Sequence, residues 1–220
     1  MTELFEPLPA SAGTRRRENT RTKLVRASLD VFVEKGIDGA TVDDLVRAAG
    51  FTRGAFYSSF SSKEEVFTAL FASVTEQMLA IVDESVVRAH QEVEPSPNAD
   101  DALDDAAVMV AVFEGIRPFG RQWYLLYSDA IARSLRDEEM RAELAVQRGR
   151  LRDEIGRLLT GWVEDEGGRL LLPPEDLAQL LVGIFVDLMV REQMDQIDIT
   201  ELAATTILGT LQAFVAPLEE

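Results

Sequence analysis

The chain reads as all-α, a small N-terminal three-helix unit followed by a larger helical region, and three observations predict it. Apolar residues recur every three or four positions through almost the whole length. The sustained two-residue alternation of a sheet does not occur in any segment. Apolar-periodic stretches open near Ser, Thr, Asp or Pro and close near Gly or Pro, as helices do.

Residues 1–14 are acidic and proline-containing and are expected to form a flexible tail. From Glu18 to Lys35, Leu24, Ala27, Val31 and Phe32 hold a helical period that stops at Gly36. Thr41 then precedes Val42, Leu45, Val46 and Ala49, and Thr41 with Asp44 has the form of a capping box. Gly50 follows, where a residue without Cβ ends a helix at little cost, and Thr52 supplies the next N-cap oxygen.

A third helix, Arg53 to about Phe60, buries Ala55, Phe56 and Phe60 by spacing and turns Arg53, Gly54, Tyr57 and Ser58 outward. Two helices joined by so few residues meet steeply, which is helix-turn-helix geometry: the second helix reaches base edges and the first crosses the phosphates. Ser62 to Glu65 has the form of a further capping box at the head of a long amphipathic helix. Lys63 sits in its first turn, where a cation opposes the helix dipole, so its expected role is phosphate binding rather than stability.

That long helix runs to about His90 on Val66, Leu70, Val74, Met78, Ile81 and Val82, and Gln91 to Asp100, with Pro95 and Pro97, reads as a loop. Helical patterns follow over 101–115, 118–135, 137–166, 174–193 and 200–215, with Pro118 and Gly120 marking a bend. The predicted domains are residues 15–62 and 63–220.

At Thr41 to Lys63, through the AAGFTRG turn, Tyr57-Ser58-Ser59-Phe60 and Lys63-Glu64-Glu65, the chain resembles the TetR family of transcriptional regulators. The resemblance is strong over residues 15–70 and weaker beyond. It implies that Tyr57 and Lys63 contact phosphates, that Thr41 touches the backbone, and that Arg53 with the residues near the start of its helix meets bases; Thr52, Gly54, Ala55 and Ser58 complete the expected DNA-binding set. The chain departs from the family's pattern at Asp43, where such proteins often carry a basic or neutral residue, at Val46, where a small Ala is common, and at Ser58 and Ser59.

Charge is unevenly spread. Residues 1–63 carry a formal +2 and residues 64–220 carry −19, so the cations of an acidic chain are gathered around the predicted reader. All three lysines, Lys23, Lys35 and Lys63, lie there, as does the Arg15-Arg16-Arg17 run, which reads either as a solubilising tail or, through Arg17, as a DNA contact. With no cysteine, disulfides, thiol chemistry and zinc fingers are excluded. The N-terminus lacks the apolar core of a signal peptide, and the densest apolar run, Leu180 to Val186, stops at Asp187, so a soluble, cytoplasmic protein with no membrane partner is expected.

Phe113, Trp123, Tyr127 and Trp162, joined by Phe185 and Met189, are candidates to line a pocket for a hydrophobic or aromatic effector, because buried Trp and Tyr need partners for their polar tips. Core packing is the alternative for each. A weaker inference from the −19 balance is a cationic effector. The stretch after Pro174 is apolar nearly all round, and the last helix is rich in Leu, Ile and small residues. A two-subunit four-helix bundle would bury them through Leu181, Phe185, Leu188, Ile207, Leu211 and Phe214, and the resemblance implies such a homodimer.

An enzyme is not expected. The single histidine, His90, lies beside a polar loop, no Gly-rich phosphate loop or serine elbow is present, and the adjacent Asp104 and Asp105 point to different helix faces. No metal or cofactor is expected. The function expected is a ligand-responsive regulator, most simply a repressor, that binds a pseudo-palindromic double-stranded operator as a dimer. The alternative is a helical protein-interaction module without sequence-specific DNA binding.

Overall fold

A computed structural model describes residues 16–92, 101–165 and 167–217; side chains of 16–19, 89–92, 101–110 and 165 also lie outside the described residues. The expectations for the 1–14 tail, the 93–100 part of the loop and the side chains of Arg17, His90, Asp104 and Asp105 therefore fall outside them. The helices are α1 (Arg16–Gly39), α2 (Val42–Ala49), α3 (Arg53–Tyr57), α4 (Lys63–Glu92), α5 (Asp101–Ser134), α6 (Glu138–Asp165), α7 (Pro174–Asp195) and α8 (Thr200–Phe214). Two three-residue strands, β1 (Gly168–Leu170) and β2 (Val215–Pro217), pair antiparallel with Arg169 opposite Ala216.

The chain packs as two units, residues 1–77 with 122–147, and residues 78–121 with 148–220. In the first, Leu24, Phe32, Leu45, Phe56, Phe67 and Leu70 are almost fully buried. Each aromatic removed from water here contributes roughly 1.5–3 kcal/mol. Rings continue the core: Phe32 meets Phe67 edge-on at 5.3 Å, Phe71 stacks on Tyr127 at 6.3 Å, and Tyr127 stacks on Trp123 at 4.7 Å. In the second unit, Leu159, Leu177, Ala178 and Leu211 form a core covered by Ile155, Trp162, Leu181, Ile207 and Phe214. Gly156 lets α6 approach Pro174 closely, since a Cβ there would come within 3.2 Å of the Pro174 backbone.

Three expectations are corrected. Residues 101–115 and 118–135 are one helix, α5, with Pro118 inside it. Proline removes one backbone N–H, but burial of Phe113, Ile116 and Gly120 around that turn holds the helix through it. β1 and β2 were not foreseen because three residues are too few for alternation to show. Residues 63–88 of α4 are long and apolar enough to cross a membrane, which the sequence reading denied of every segment. Their apolar side has another explanation, since Val66, Phe67, Leu70 and Val74 are wholly buried in the protein's own core or nearly so.

Candidate nucleic-acid interface

The segment from Thr41 to Lys63 is held by caps as its sequence demands. The Thr41 hydroxyl accepts from Asp44 N–H at 3.2 Å, and the Asp44 carboxylate accepts from Thr41 N–H at 3.1 Å, closing the capping box. Lys35 also donates to Asp44 at 2.7 Å. This Lys35 bond, with the two from Thr41, lowers the Asp44 carboxyl to about 2. Gly50 ends α2 at φ 69°, in the left-handed region that favours glycine. The Thr52 hydroxyl then accepts from Ala55 N–H at 3.3 Å and starts α3.

α3 is shorter than the sequence predicts, ending at Tyr57 with Ser58 as its C-cap, and the chain turns before Phe60. The turn follows from Ser58, a poor helix residue whose hydroxyl competes for the backbone: Ser58 Oγ donates to Ala55 O at 2.7 Å. Phe56 and Phe60 are buried and Ala55 is half-buried. Thr52, Arg53, Gly54, Tyr57 and Ser58 are exposed, as is Thr41, so these residues predicted to meet DNA share open surface.

Lys63 requires a correction. Its Nζ donates to the carbonyls of Asp38 at 3.0 Å and Ala40 at 2.8 Å, so it does serve the fold. The physical reason is that a long side chain in the first turn of α4 reaches the unpaired carbonyls that close α1, which outweighs the adverse dipole. The box at Ser62 is also only half formed. Glu65 N–H donates to Ser62 Oγ at 3.2 Å, but the Glu65 carboxylate turns to Ser61 N–H at 2.8 Å and is held below its usual range mainly by that bond.

Sequence reasoning missed the long-range supports. Arg21 donates to Ser59 O at 2.8 Å and to Glu65 at 3.1 Å, with its guanidinium 4.0 Å from the Phe60 ring centre. Gly36, at φ 66° and ψ 170°, breaks α1 where its Cβ would press on the Asp129 carboxylate, and that carboxylate accepts from Ile37 N–H at 3.0 Å. Arg133 donates to Asp38 at 2.8 Å and to Glu64 at 3.3 Å. These partners stand 38 to 95 positions apart, beyond any local signal.

Residues 24–70 match the family described as bacterial regulatory proteins, tetR family. The N-terminal helices form a TetR-family helix-turn-helix domain. Over 56 residues the chain is 48% identical to the HTH-type transcriptional regulator SrpR of Pseudomonas putida, covering 26% of each chain. Across the first such relatives the match covers 26 to 42% of their length. The fold extends further. A TetR-family transcriptional regulator from Cytophaga hutchinsonii superposes with a TM-score of 0.66 over 95% of this chain and 100% of that one, at 12% identity. SmeT, the repressor of the Stenotrophomonas maltophilia multidrug efflux pump SmeDEF, gives 0.58 over 89% and 90%, at 21% identity. The TetR-type domain is thus joined to a helical region of TetR-like fold.

The other predicted site residues are distributed as follows. Trp123 and Tyr127 are stacked in the first unit, whereas Phe113 packs edge-on against Phe185 at 6.4 Å in the second. Met189 lies against Gly120, where a Cβ would meet its sulfur, and Trp162 covers the Leu159–Leu177 core. Leu188, Phe185 and Leu211 are buried within the chain, and Leu181, Ile207 and Phe214 pack on the second core. The open face of α7 and α8 shares only Leu188 with the predicted set. Leu180, Gly183, Ile184, Leu188, Leu202 and Thr206, with Asp187 and Arg191, line a groove of about 370 Å³ there.

Proposed function

We propose that the chain is a DNA-binding transcriptional regulator of the repressor type, dimeric on a pseudo-palindromic operator and released by a small molecule. The exposed α3 face carries this reading: Thr52, Arg53, Tyr57 and Ser58 are open to solvent on a scaffold that needs none of them for its core. The relatives' printed roles, regulators throughout and a repressor in SmeT, support it.

Phosphate contacts fall to Tyr57 and Thr41, with Lys63 dividing its donors between the α1 carbonyls and the backbone. Base contacts fall to Arg53 and the start of α3. Dimerisation through the open α7–α8 face would bring two such domains to half-sites about one helical turn, or a multiple, apart. The effector is an aromatic or hydrophobic molecule held by the helical region, and it acts by binding one global state better than the other. The site of action is cytoplasmic.

Selection of genomic fragments by the purified protein, followed by salt titration on the enriched duplex, tests the reading. A pseudo-palindromic site bound with steep salt dependence is expected. Absence of enrichment at low salt would favour the protein-interaction alternative.

A further inference from the structure

Arg53, the side chain assigned to base reading, is clasped by Asp43. Its Nε donates to Oδ1 at 2.6 Å and its Nη2 to Oδ2 at 2.7 Å, across the turn from the first helical turn of α2 to the first residue of α3. The two side chains are 64% and 52% exposed, and an open, solvent-screened pair of this kind adds little to stability. Stability is therefore a poor account of a two-point fork. Its geometry offers a better one.

A guanidinium holds five N–H donors in one plane. The clasp engages the side-on edge, Nε–H and one Nη2–H, and leaves the end-on pair on Nη1 and Nη2. A parallel donor pair is what guanine O6 and N7 accept. The clasp also fixes a side chain that otherwise has many rotamers, so less freedom is lost on binding. Next to it, exposed Gly54 presents no side chain to obstruct approach. The hydrogen bonds hold the Asp43 carboxyl below its usual range and the Arg53 guanidinium above its own, so both stay charged at neutral pH.

We propose that Asp43 is a positioning residue that determines specificity, clasping Arg53 side-on so that its end-on donors are already aimed at a guanine of the operator. The proposal rests on the DNA-binding reading above. Asp43 also sets a negative charge near phosphates, so it lowers affinity for all duplexes while sharpening the choice among them.

The test compares wild type, Asp43→Ala and Asp43→Glu on the selected duplex, on duplexes with each base pair replaced in turn, and on random duplex, at one salt concentration. Thermal melts confirm that all three proteins fold. Asp43→Ala is expected to bind random duplex roughly 3-fold tighter and to lose about 10-fold of discrimination at one G·C pair, within the range a bidentate contact supplies. Asp43→Glu restores the discrimination. Equal tightening on every duplex with discrimination intact would overturn the proposal, leaving Asp43 as a repulsive charge only. A G·C preference that survives Arg53→Ala would overturn it too. Failure of wild type to select any duplex would overturn the DNA-binding reading itself, and shows before any variant is made.

Discussion

The exposed faces of α3 and of the α7–α8 pair differ in what they leave for water. α3 shows hydrogen-bonding groups, with Thr52, Arg53, Tyr57 and Ser58 all exposed over buried Phe56. α7 and α8 show mostly carbon: Leu180 and Leu202 are each 41% exposed around a groove containing Gly183 and Ile184, with the Asp187–Arg191 ion pair at 2.7 Å along it. Water satisfies the first face, and in the proposed complex phosphates and bases would replace it at modest net cost. The second gains only by being covered by another apolar surface. One molecule therefore carries a surface built for polar exchange and another built for burial.

The largest expected effect breaks the second face. Leu180→Glu with Leu202→Glu would remove apolar contacts from both copies of the proposed two-fold interface. At about 2 kcal/mol per side chain that loss alone raises the dimer dissociation constant by well over three orders of magnitude. Sedimentation equilibrium should show monomers at micromolar concentration, with the fold kept because neither leucine is buried in its own subunit. Dimers of unchanged affinity would place the interface elsewhere. Next comes Lys63→Ala, which strips two charge-assisted bonds from the carbonyls of Asp38 and Ala40 and is expected to cost about 2 kcal/mol in a denaturant titration. It should also weaken binding to all duplexes alike and flatten the salt slope. A purely phosphate-binding lysine would leave the denaturation midpoint where it was.

The two faces were unequally legible in the sequence. Around α2 and α3 the signals are local: Thr41 with Asp44, Gly50 and Thr52 each act within four residues, and the structure realises each of them. Periodicity likewise revealed α4, α6, α7 and α8 to within a few residues. What it could not give was which side of a nearly all-apolar helix faces inward. Leu211 and Phe185 turned to the chain's own core while Leu180 and Leu202 stayed open, because that choice depends on partners far along the chain. The same limit hid Arg21 and Asp129, whereas the Asp43–Arg53 clasp, ten positions apart, depends on how the turn between α2 and α3 folds. Pro118 misled in the opposite sense, as a strong local breaker overruled by packing.

The caps give the next effect down. Thr41→Ala removes the hydroxyl from the capping box and should cost about 1 kcal/mol, read as a lower denaturation midpoint. Asp44 adds a pH dependence with a definite sign. Its folded pKa of about 2 lies below the usual 3.8 of an aspartate, so its contribution is complete above about pH 4 and is lost as the pH falls through about 2. Asp44→Asn should flatten the stability profile in that window and leave the neutral-to-basic limb unchanged in slope. An acid limb identical to wild type would deny the carboxylate its part in the cap.

The smallest pair of changes sharpens the comparison most, because the same atom is removed from both faces. Tyr57→Phe takes a hydroxyl from the α3 face. The ring keeps its edge-on contact with Phe56, centroids 5.2 Å apart, so stability should hold within about 0.5 kcal/mol. Affinity for every duplex should fall roughly 3-fold, as loss of one hydrogen bond requires. Thr206→Val takes a hydroxyl from the α7–α8 groove, where the surroundings are mostly carbon. That change should leave DNA affinity per dimer unaltered and hold or slightly tighten self-association, since a methyl replaces a group that must otherwise be desolvated. If Tyr57→Phe were silent on DNA and Thr206→Val weakened the dimer, the division of the surface into one polar and one apolar face would have the wrong physical basis.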